Sequence, residues 1–419
     1  MIYLRATLGI VFFCVVAWLL SSHKQRFPWR VVFFGLALQL ALGLFVLSTQ
    51  LGQSVFQSVG AFVTGLIGMT APGAELVFGP LARFDAMAEV FGPQNGFVFA
   101  FAGTGLVAII FFSALMSILY HLGIMQVVIY VMAKVMSATM GVSGAESMAM
   151  AANVFVGQTE APLVVRPYLN GMTQSELNAL MTGGFATIAG SVLAIYLGYL
   201  GPEYGPHLLS ASVMSAPAAF LVAKIVLPET QESVTGGKVR LRIERTAHNV
   251  IEAAANGTSD GLKLWLNVIA MLIAFSALIH LIDWPLGAID ADLSLARIFG
   301  WVFAPVAWLM GVAWNDCQLF GSLLGIKIAA NELIAFGEMR SMLPGSGGEL
   351  VFASERSAKM AAYALCGFAN FASIGIQIGG ITPLAPDRRT DLSRLALRAM
   401  IGGAFASWMT ATVAGMFIR

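Results

Sequence analysis

Residues 143–170 read SGAESMAMAANVFVGQTEAPLVVRPYLN, and residues 300–336 run from GWVFAP to ANELIAF. Each stretch has apolar arms too short to cross a bilayer alone, since a spanning helix needs about 20 mainly apolar residues. Each also carries a carboxylate in apolar surroundings, Glu160 in the first and Glu332 in the second. Non-helical backbone at membrane depth survives only where protein buries it or where it lines a cavity. Both stretches therefore read as re-entrant helical hairpins, with amphipathic interfacial helices as the alternative.

The rest of the chain supplies the membrane context. Of 419 residues, 58% are hydrophobic and only 11% charged, against roughly 25% charged in soluble domains. Mean hydropathy is +0.81. A soluble fold with so few charges could not cover its surface. Clear candidate spans are 3–21, 31–49, 97–120, 205–227, 262–282 and 399–418. Residues 176–200 and 358–382 are long enough to cross but carry Gly, Ser, Thr and Asn throughout. With these two the expected fold is an all-α polytopic membrane protein of about eight spans plus two hairpins. Residues 51–95 mix Gly, Pro and charge without a clean span, and read as an interfacial helix plus loop.

Positive charge orients the spans. Lys24, Arg26 and Arg30 follow the first apolar run, and only Arg5 precedes it. That order marks a retained first helix with its N-terminus outside, not a cleaved signal peptide. Lys238, Arg240, Arg242 and Arg245, and then Arg388, Arg389, Arg394 and Arg398, form two more basic tracts. With the N-terminus outside, all three tracts fall on the cytoplasmic side and both termini face outward.

Several function classes find no support. Net charge is +1, so no basic excess points to nucleic acid. Cys14, Cys317 and Cys366 are odd in number and lie in apolar runs, which gives no disulfide framework. The five histidines form no HExxH and no Cys/His pair at zinc spacing. Neither a GxSxG nor a Walker A nor a dinucleotide fingerprint is present, and Gly103-Thr104-Gly105 lies inside a span. An enzyme is not expected. A passive channel would need a continuous polar pore, whereas the polar residues here gather in two places.

Those two places resemble each other. Gly184-Phe185-Ala186-Thr187-Ile188-Ala189-Gly190 and Gly367-Phe368-Ala369-Asn370-Phe371-Ala372-Ser373 share the pattern Gly-Phe-Ala-polar-apolar-Ala-small. Each follows a carboxylate-bearing hairpin and precedes another apolar stretch. By the span count the first hairpin enters from inside and the second from outside, so the two units are inverted. Inverted repeats with Gly-interrupted helices point to a transporter binding site near the midplane. Taken alone, such likeness also arises when small residues merely permit close helix packing.

Intramembrane carboxylates usually face a cavity and mark a substrate or ion path. The alternative for these two is pairing with a nearby base, Glu160 with Arg166 or Glu332 with Lys327. Gly157-Gln158-Thr159-Glu160 is a hydrogen-bonding tip that Pro162 keeps out of a regular ladder. It suits a neutral ligand with many polar groups; helix capping by Gln158 and Thr159 is the alternative. Asn370 and Ser373 share a helix face. Phe368 offers a ring for a flat ligand or plain packing. Asn153, Thr187 and freed carbonyls at Val156 and Ile188 offer oxygen ligands to a cation, or bond between helices.

The tracts GQTEAPLVVRPYL (157–169), GGFATIAGSVLA (183–194), GIKIAANELIAF (325–336) and ALCGFANFASIGIQIGG (364–380) resemble the concentrative nucleoside transporter family. The resemblance covers roughly residues 95–415. It implies a bacterial inner-membrane symporter of nucleosides such as uridine or adenosine, a homotrimer embedded in lipid, with sodium as coupling ion and no organic cofactor. It also implies a scaffold domain and an elevator-like transport domain. The matching division is 1–142 mainly scaffold, 143–204 first hairpin and broken helix, 205–299 mixed, 300–385 second hairpin and broken helix, and 386–419 the last span. Gln158, Thr159, Glu160 and Val192 are implied to contact the base, and Phe368 to pack on it. Glu332, Asn370 and Ser373 are implied to hold the ribose, and Asn153, Val156, Thr187 and Ile188 to hold sodium. Thr187 stands where the sodium-coupled bacterial pattern has Ser; the hydroxyl is kept, and proton coupling is the alternative. Purine against pyrimidine preference is not legible.

Overall fold

The computed structural model describes residues 2–91, 104–236, 247–344, 348 and 351–418. These residues form helices and connections with no strand. In chain order the α-helices are α1 (Ile2–Leu19), α2 (Trp29–Ser48), α3 (Gln50–Gly68), α4 (Ala71–Phe78), α5 (Phe84–Phe91), α6 (Thr104–His121), α7 (Ile124–Met140), α8 (Gly144–Asn153), α9 (Ala161–Val164), α10 (Gln174–Ala186), α11 (Gly190–Leu200), α12 (Gly205–Val226), α13 (Val250–Ile289), α14 (Leu295–Leu309), α15 (Cys317–Ala329), α16 (Glu332–Ser341), α17 (Glu355–Leu365), α18 (Phe371–Ile381) and α19 (Arg389–Phe417).

Both hairpins are present. The first is α8, an irregular tip and the short α9, which continues into a 3-10 turn over Arg166–Gly171. The second is α15 and α16, so its arms begin at Cys317 and not at Gly300. Residues 295–309 instead form the separate α14, which ends before Gly311 at φ +96° turns the chain. A Cβ at Gly321 would lie 2.8 Å from the Gly300 carbonyl oxygen, so α14 and α15 pack backbone to backbone. Both broken helices are present too: α10 and α11 flank residues 187–189, and α17 and α18 flank residues 366–370.

Six helical stretches among the described residues are long and apolar enough to cross a membrane, seven if a bent pair counts as one. The bent pair is Val107–His121 with Ile124–Met140, kinked by 77°. The expectation of about eight spans also counted each broken helix as a crossing, and the halves of those helices are each too short to be counted by length alone. Gln50–Met87 passes the same length-and-composition test where the sequence suggested an interfacial helix plus loop. The expected span 262–282 is the apolar part of a 40-residue helix, α13. Residues 97–103 of the third expected span lie outside the described residues, as do Lys238, Arg240, Arg242 and Arg245.

The remaining basic tracts meet at one end of the molecule. An Arg398 guanidinium nitrogen donates to the Ser22 hydroxyl, which ties the loop after α1 to the start of α19. The Ser22 N–H donates to the Val226 carbonyl at the end of α12 at 3.1 Å. The root of the first hairpin sits nearby and is held by charge. Ser143 and Glu146 form a capping box at the start of α8, and Thr173 and Glu176 form another at α10. Reciprocal caps of this kind satisfy helix-end donors that lipid cannot. The buried ammonium of Lys224, on α12, lies 2.7 Å from Glu146 and donates to Ser175 at 2.9 Å. The Ser143 hydroxyl donates to Glu176 at 2.5 Å. Three helix ends thus share one buried polar knot, and the hairpin is anchored at its base while its tip reaches the centre.

The two breaks touch. Gly367 adopts φ +144°, a conformation that favours glycine. A Cβ there would come within 2.9 Å of the Phe185 and Ala186 carbonyl oxygens and 2.8 Å of Ser407 Oγ. Glycine at this position therefore lets the second break lie directly on the end of α10.

Candidate binding site between the two breaks

Hairpin 2 turns at Asn331, whose side chain caps α16 by accepting from the Ile334 N–H at 2.9 Å. The cap places Glu332 at the first helical position, 4% exposed. Its carboxylate accepts from Asn370 Nδ2 at 3.0 Å and from the Tyr196 phenol at 3.2 Å. Asn370 is itself the cap of α18, accepting from the Ser373 N–H at 2.8 Å. Breaking the helix at 366–370 thus turns a chain end toward a carboxylate and supplies the polar groups that hold it.

α18 carries the site onward. Asn370, Ser373 and Gln377 stand at i, i+3 and i+7, one face of the helix, spread over about 10 Å of its axis. All three are buried. Gln377 Nε2 donates to Gln158 Oε1 at 3.0 Å and to the Met181 carbonyl at 3.1 Å. Gln158 belongs to the tip of hairpin 1, and Thr159 beside it packs where a Cβ on Gly380 would meet its side chain at 2.5 Å. One polar line therefore runs from Tyr196 and Glu332 through Asn370, Ser373 and Gln377 to Gln158. It joins the second hairpin to the first.

The structure brings Gln158, Glu332, Asn370 and Ser373 into this line, with Thr159 at its Gln158 end and its methyl toward Gly380. Val192 is buried on α11, one turn before Tyr196, whose ring stacks on Phe336 with centroids 4.5 Å apart. Phe368 is half-buried within the second break. Glu160 is exposed, and its Oε2 accepts from the Gly157 N–H at 3.2 Å. The ammonium of Lys327 donates to the Ala364 carbonyl at 2.8 Å, while the Glu332 oxygens are held by Tyr196 and Asn370. Sequence reasoning missed Tyr196 and Gln377. A signal existed for each: Gln377 lies four residues after Ser373, and Tyr196 four after Val192, the spacing of one helix face.

A second group of polar atoms lies at the first break. The Thr187 hydroxyl donates to the Asn153 carbonyl at 2.8 Å and the Gly183 carbonyl at 2.9 Å. Asn153 is 1% exposed, yet neither its Oδ1 nor its Nδ2 finds a hydrogen-bond partner among the described residues. Gly183 lets this amide in, since a Cβ there would sit 3.1 Å from Asn153 Nδ2. Val156 and Ile188 are buried at the tip and the break. An unsatisfied buried amide costs about 1–3 kcal/mol. Neutral oxygens gathered around such an amide are the donor set of a hard monovalent cation, so the residues fit sodium.

Comparison with known proteins agrees with this architecture. The chain matches the Na+ dependent nucleoside transporter N-terminus over residues 8–81, Nucleoside recognition (Gate) over 104–203 and Na+ dependent nucleoside transporter C-terminus over 207–415. An "Uncharacterized transporter" of Haemophilus influenzae is 42% identical over 421 residues, covering 99% of this chain and 98% of that protein. Sodium/nucleoside cotransporter 1 of Mus musculus is 42% identical over 422 residues, covering 97% of this chain. The chain spans 63% of the length of that mouse protein and of its Rattus norvegicus counterpart. Among solved structures, CNTnw in an inward-facing substrate-bound state superposes with TM-score 0.92 at 39% identity, covering 100% of this chain and 98% of that one. A CNTnw variant in an outward-facing state gives TM-score 0.93, with 100% and 99% covered. This chain, an all-helical integral membrane protein, belongs to the concentrative, Na+ dependent nucleoside transporter family.

Proposed function

We propose that this protein is a symporter that carries a nucleoside across the bacterial inner membrane on a sodium gradient. The observation that carries the reading is the polar line along α18. At one end it presents a carboxylate, an amide and a hydroxyl, which suit the vicinal hydroxyls of a ribose. At the other it presents Gln158, Thr159 and, at the same tip, Glu160, which suit the edge of a base. A ligand with a sugar at one end and a flat hydrogen-bonding ring at the other matches this order. Val192 and Phe368 supply apolar surface for the ring.

Sodium is the second cargo. Asn153, Thr187 and the backbone at Val156 and Ile188 would hold it between the arm of hairpin 1 and the first break. A cation there braces the tip that carries Gln158 and Thr159, so ion and nucleoside favour one another's binding. The names of relatives that carry sodium and nucleosides support this. The alternating access is of the elevator kind: α8–α11 and α15–α18 move together against a scaffold that includes α6 and α13. Relatives solved in inward-facing, intermediate and outward-facing states support the movement of such a body. The chain forms a homotrimer in the lipid bilayer, with both termini outside and no nucleic acid partner. The largely uncovered surface of α13 supports lipid or a second copy on that face.

Uptake of labelled uridine and adenosine into proteoliposomes tests the reading. It expects accumulation that needs an inward sodium gradient. Accumulation that ignores sodium and follows a proton gradient would replace the ion, and no accumulation of either nucleoside would end the reading.

A further inference from the structure

The two repeats treat the end of the first half of their broken helix differently. In the first repeat the last residue of the hairpin arm α8 is Asn153, neutral and unsatisfied, and it meets α10 at Gly183 and Thr187. In the second repeat the last turn of the hairpin arm α15 carries Lys327, and it meets the last turn of α17. The Lys327 side chain is 0% exposed, and its ammonium donates to the Ala364 carbonyl at 2.8 Å.

The breaks explain why. Aligning Gly184–Gly190 with Gly367–Ser373 sets Ala186, the last residue of α10, opposite Ala369. α17 instead ends at Leu365, one turn earlier. The second break therefore sets the Ala364 carbonyl at a helix C-terminus, whose partial negative charge favours a cation. A lysine buried in a membrane protein is costly unless its charge is answered. Here the helix end supplies the answer, and Glu332 lies five residues along the same hairpin.

We infer that Lys327 is the fixed cation of the second repeat. Its ammonium lies where the hairpin arm meets the last turn before the break, near the level at which Asn153 meets Gly183 in the first repeat and about one turn short of the position matching Thr187. It thereby positions hairpin 2, and with it Glu332, without an ion from solution. Two inverted units of the same plan would then hold one exchangeable cation and one covalently attached one. Coupling is set at a single ion per nucleoside by the residue at 327. The inference rests on the sodium-symport reading.

The test is the uridine dissociation constant measured by calorimetry across sodium concentrations at constant ionic strength, for wild type, Lys327→Met and Lys327→Ala. Wild type is expected to show a log–log slope of about one ion. If wild type shows no sodium dependence, the symport reading fails, independently of Lys327. Lys327→Met keeps the bulk without the charge, so uridine affinity should fall by about tenfold or more at every sodium concentration, with the slope unchanged. Lys327→Ala opens the same space to solvent ions. Its slope should rise from one toward two, with high sodium restoring affinity. If Lys327→Ala does not purify as folded protein, Lys327→Gln, whose amide oxygen can ligate an ion, takes the same measurement. A merely structural lysine would lower the thermal midpoint and leave the slope at one in every variant; that result overturns the inference. So does wild-type affinity in Lys327→Met.

Discussion

The first and second repeats share one plan and divide the work. Each has a hairpin, a tip, a broken helix and a Gly-Phe-Ala tract at the break. Hairpin 2 ends in a capped helix with a satisfied carboxylate: Glu332 has Tyr196 and Asn370, and Lys327 has Ala364. Hairpin 1 ends in an irregular tip, with a four-residue α9 as its second arm and a buried Asn153 amide without a hydrogen-bond partner among the described residues. The second repeat is complete as it stands and suits a ligand that needs a preset geometry. In the proposed symport the first is the half that an ion completes, through Asn153. On the proposed reading this asymmetry would couple two cargoes, with one half holding the sugar and the other holding the cation. Gln377 is the seam, since it belongs to the second repeat and bonds to Gln158 and Met181 of the first.

The largest expected effect comes from breaking the second repeat's preset carboxylate. Glu332→Gln keeps the shape but removes the charge and one strong acceptor. A charged hydrogen bond at a buried site is worth about 1.5–3 kcal/mol, so uridine affinity should fall about 10- to 150-fold. Calorimetry on the purified variant measures it, and near wild-type affinity would remove Glu332 from the ribose. The ligand offers the same test from its own side. Nucleosides lacking the 3′-hydroxyl should compete about tenfold less well than uridine, because a site built to bond a hydroxyl rejects its absence. Those lacking the 2′-hydroxyl should lose less. Equal competition by all three would detach the ribose from Glu332, Asn370 and Ser373.

Much of this contrast was legible in the sequence because its causes are local. Glu160 and Glu332 in apolar stretches, Pro162 behind one tip and glycines at both breaks forced hairpins and broken helices. Positive charge put the tracts at 22–30 and 386–398 on one side of the membrane, and Arg398 reaches Ser22. What escaped depends on tertiary contact. Gln377 looks like a lone polar residue in an apolar helix until the hairpin tip is placed beside it. Tyr196 reads as packing until Glu332 lies 3.2 Å away. The length of α13 escaped because a hydropathy window sees only its apolar part, while its polar first turns continue the helix beyond it. The start of the second hairpin was set too early because α14 and α15 are both apolar, and only the turn at Gly311 separates them.

Gln377→Leu should test the seam. It leaves Gln158 Oε1 and the Met181 carbonyl without their donor, at a cost of about 1–2 kcal/mol. Uridine affinity should drop roughly 5- to 30-fold, and the thermal midpoint should fall with it. A variant with both unchanged would mean that the two repeats meet the ligand independently. The smallest effect is expected within the first repeat. Thr187→Ala removes the hydroxyl that joins the break to Asn153. It should raise the sodium concentration for half-maximal binding by about fivefold while changing uridine affinity at saturating sodium far less. Equal losses at low and saturating sodium would show Thr187 to be packing alone.

The central claim is that the first repeat is completed by sodium, and titration of wild-type protein tests it most directly. Uridine should be titrated by calorimetry at several sodium concentrations, and sodium with and without uridine, at fixed ionic strength and at two pH values. The account predicts that sodium tightens uridine binding and that uridine tightens sodium binding by the same factor, with little change between the two pH values. Uridine affinity that ignores sodium and follows pH would contradict it, and Asn153 and Thr187 would not then form a sodium site.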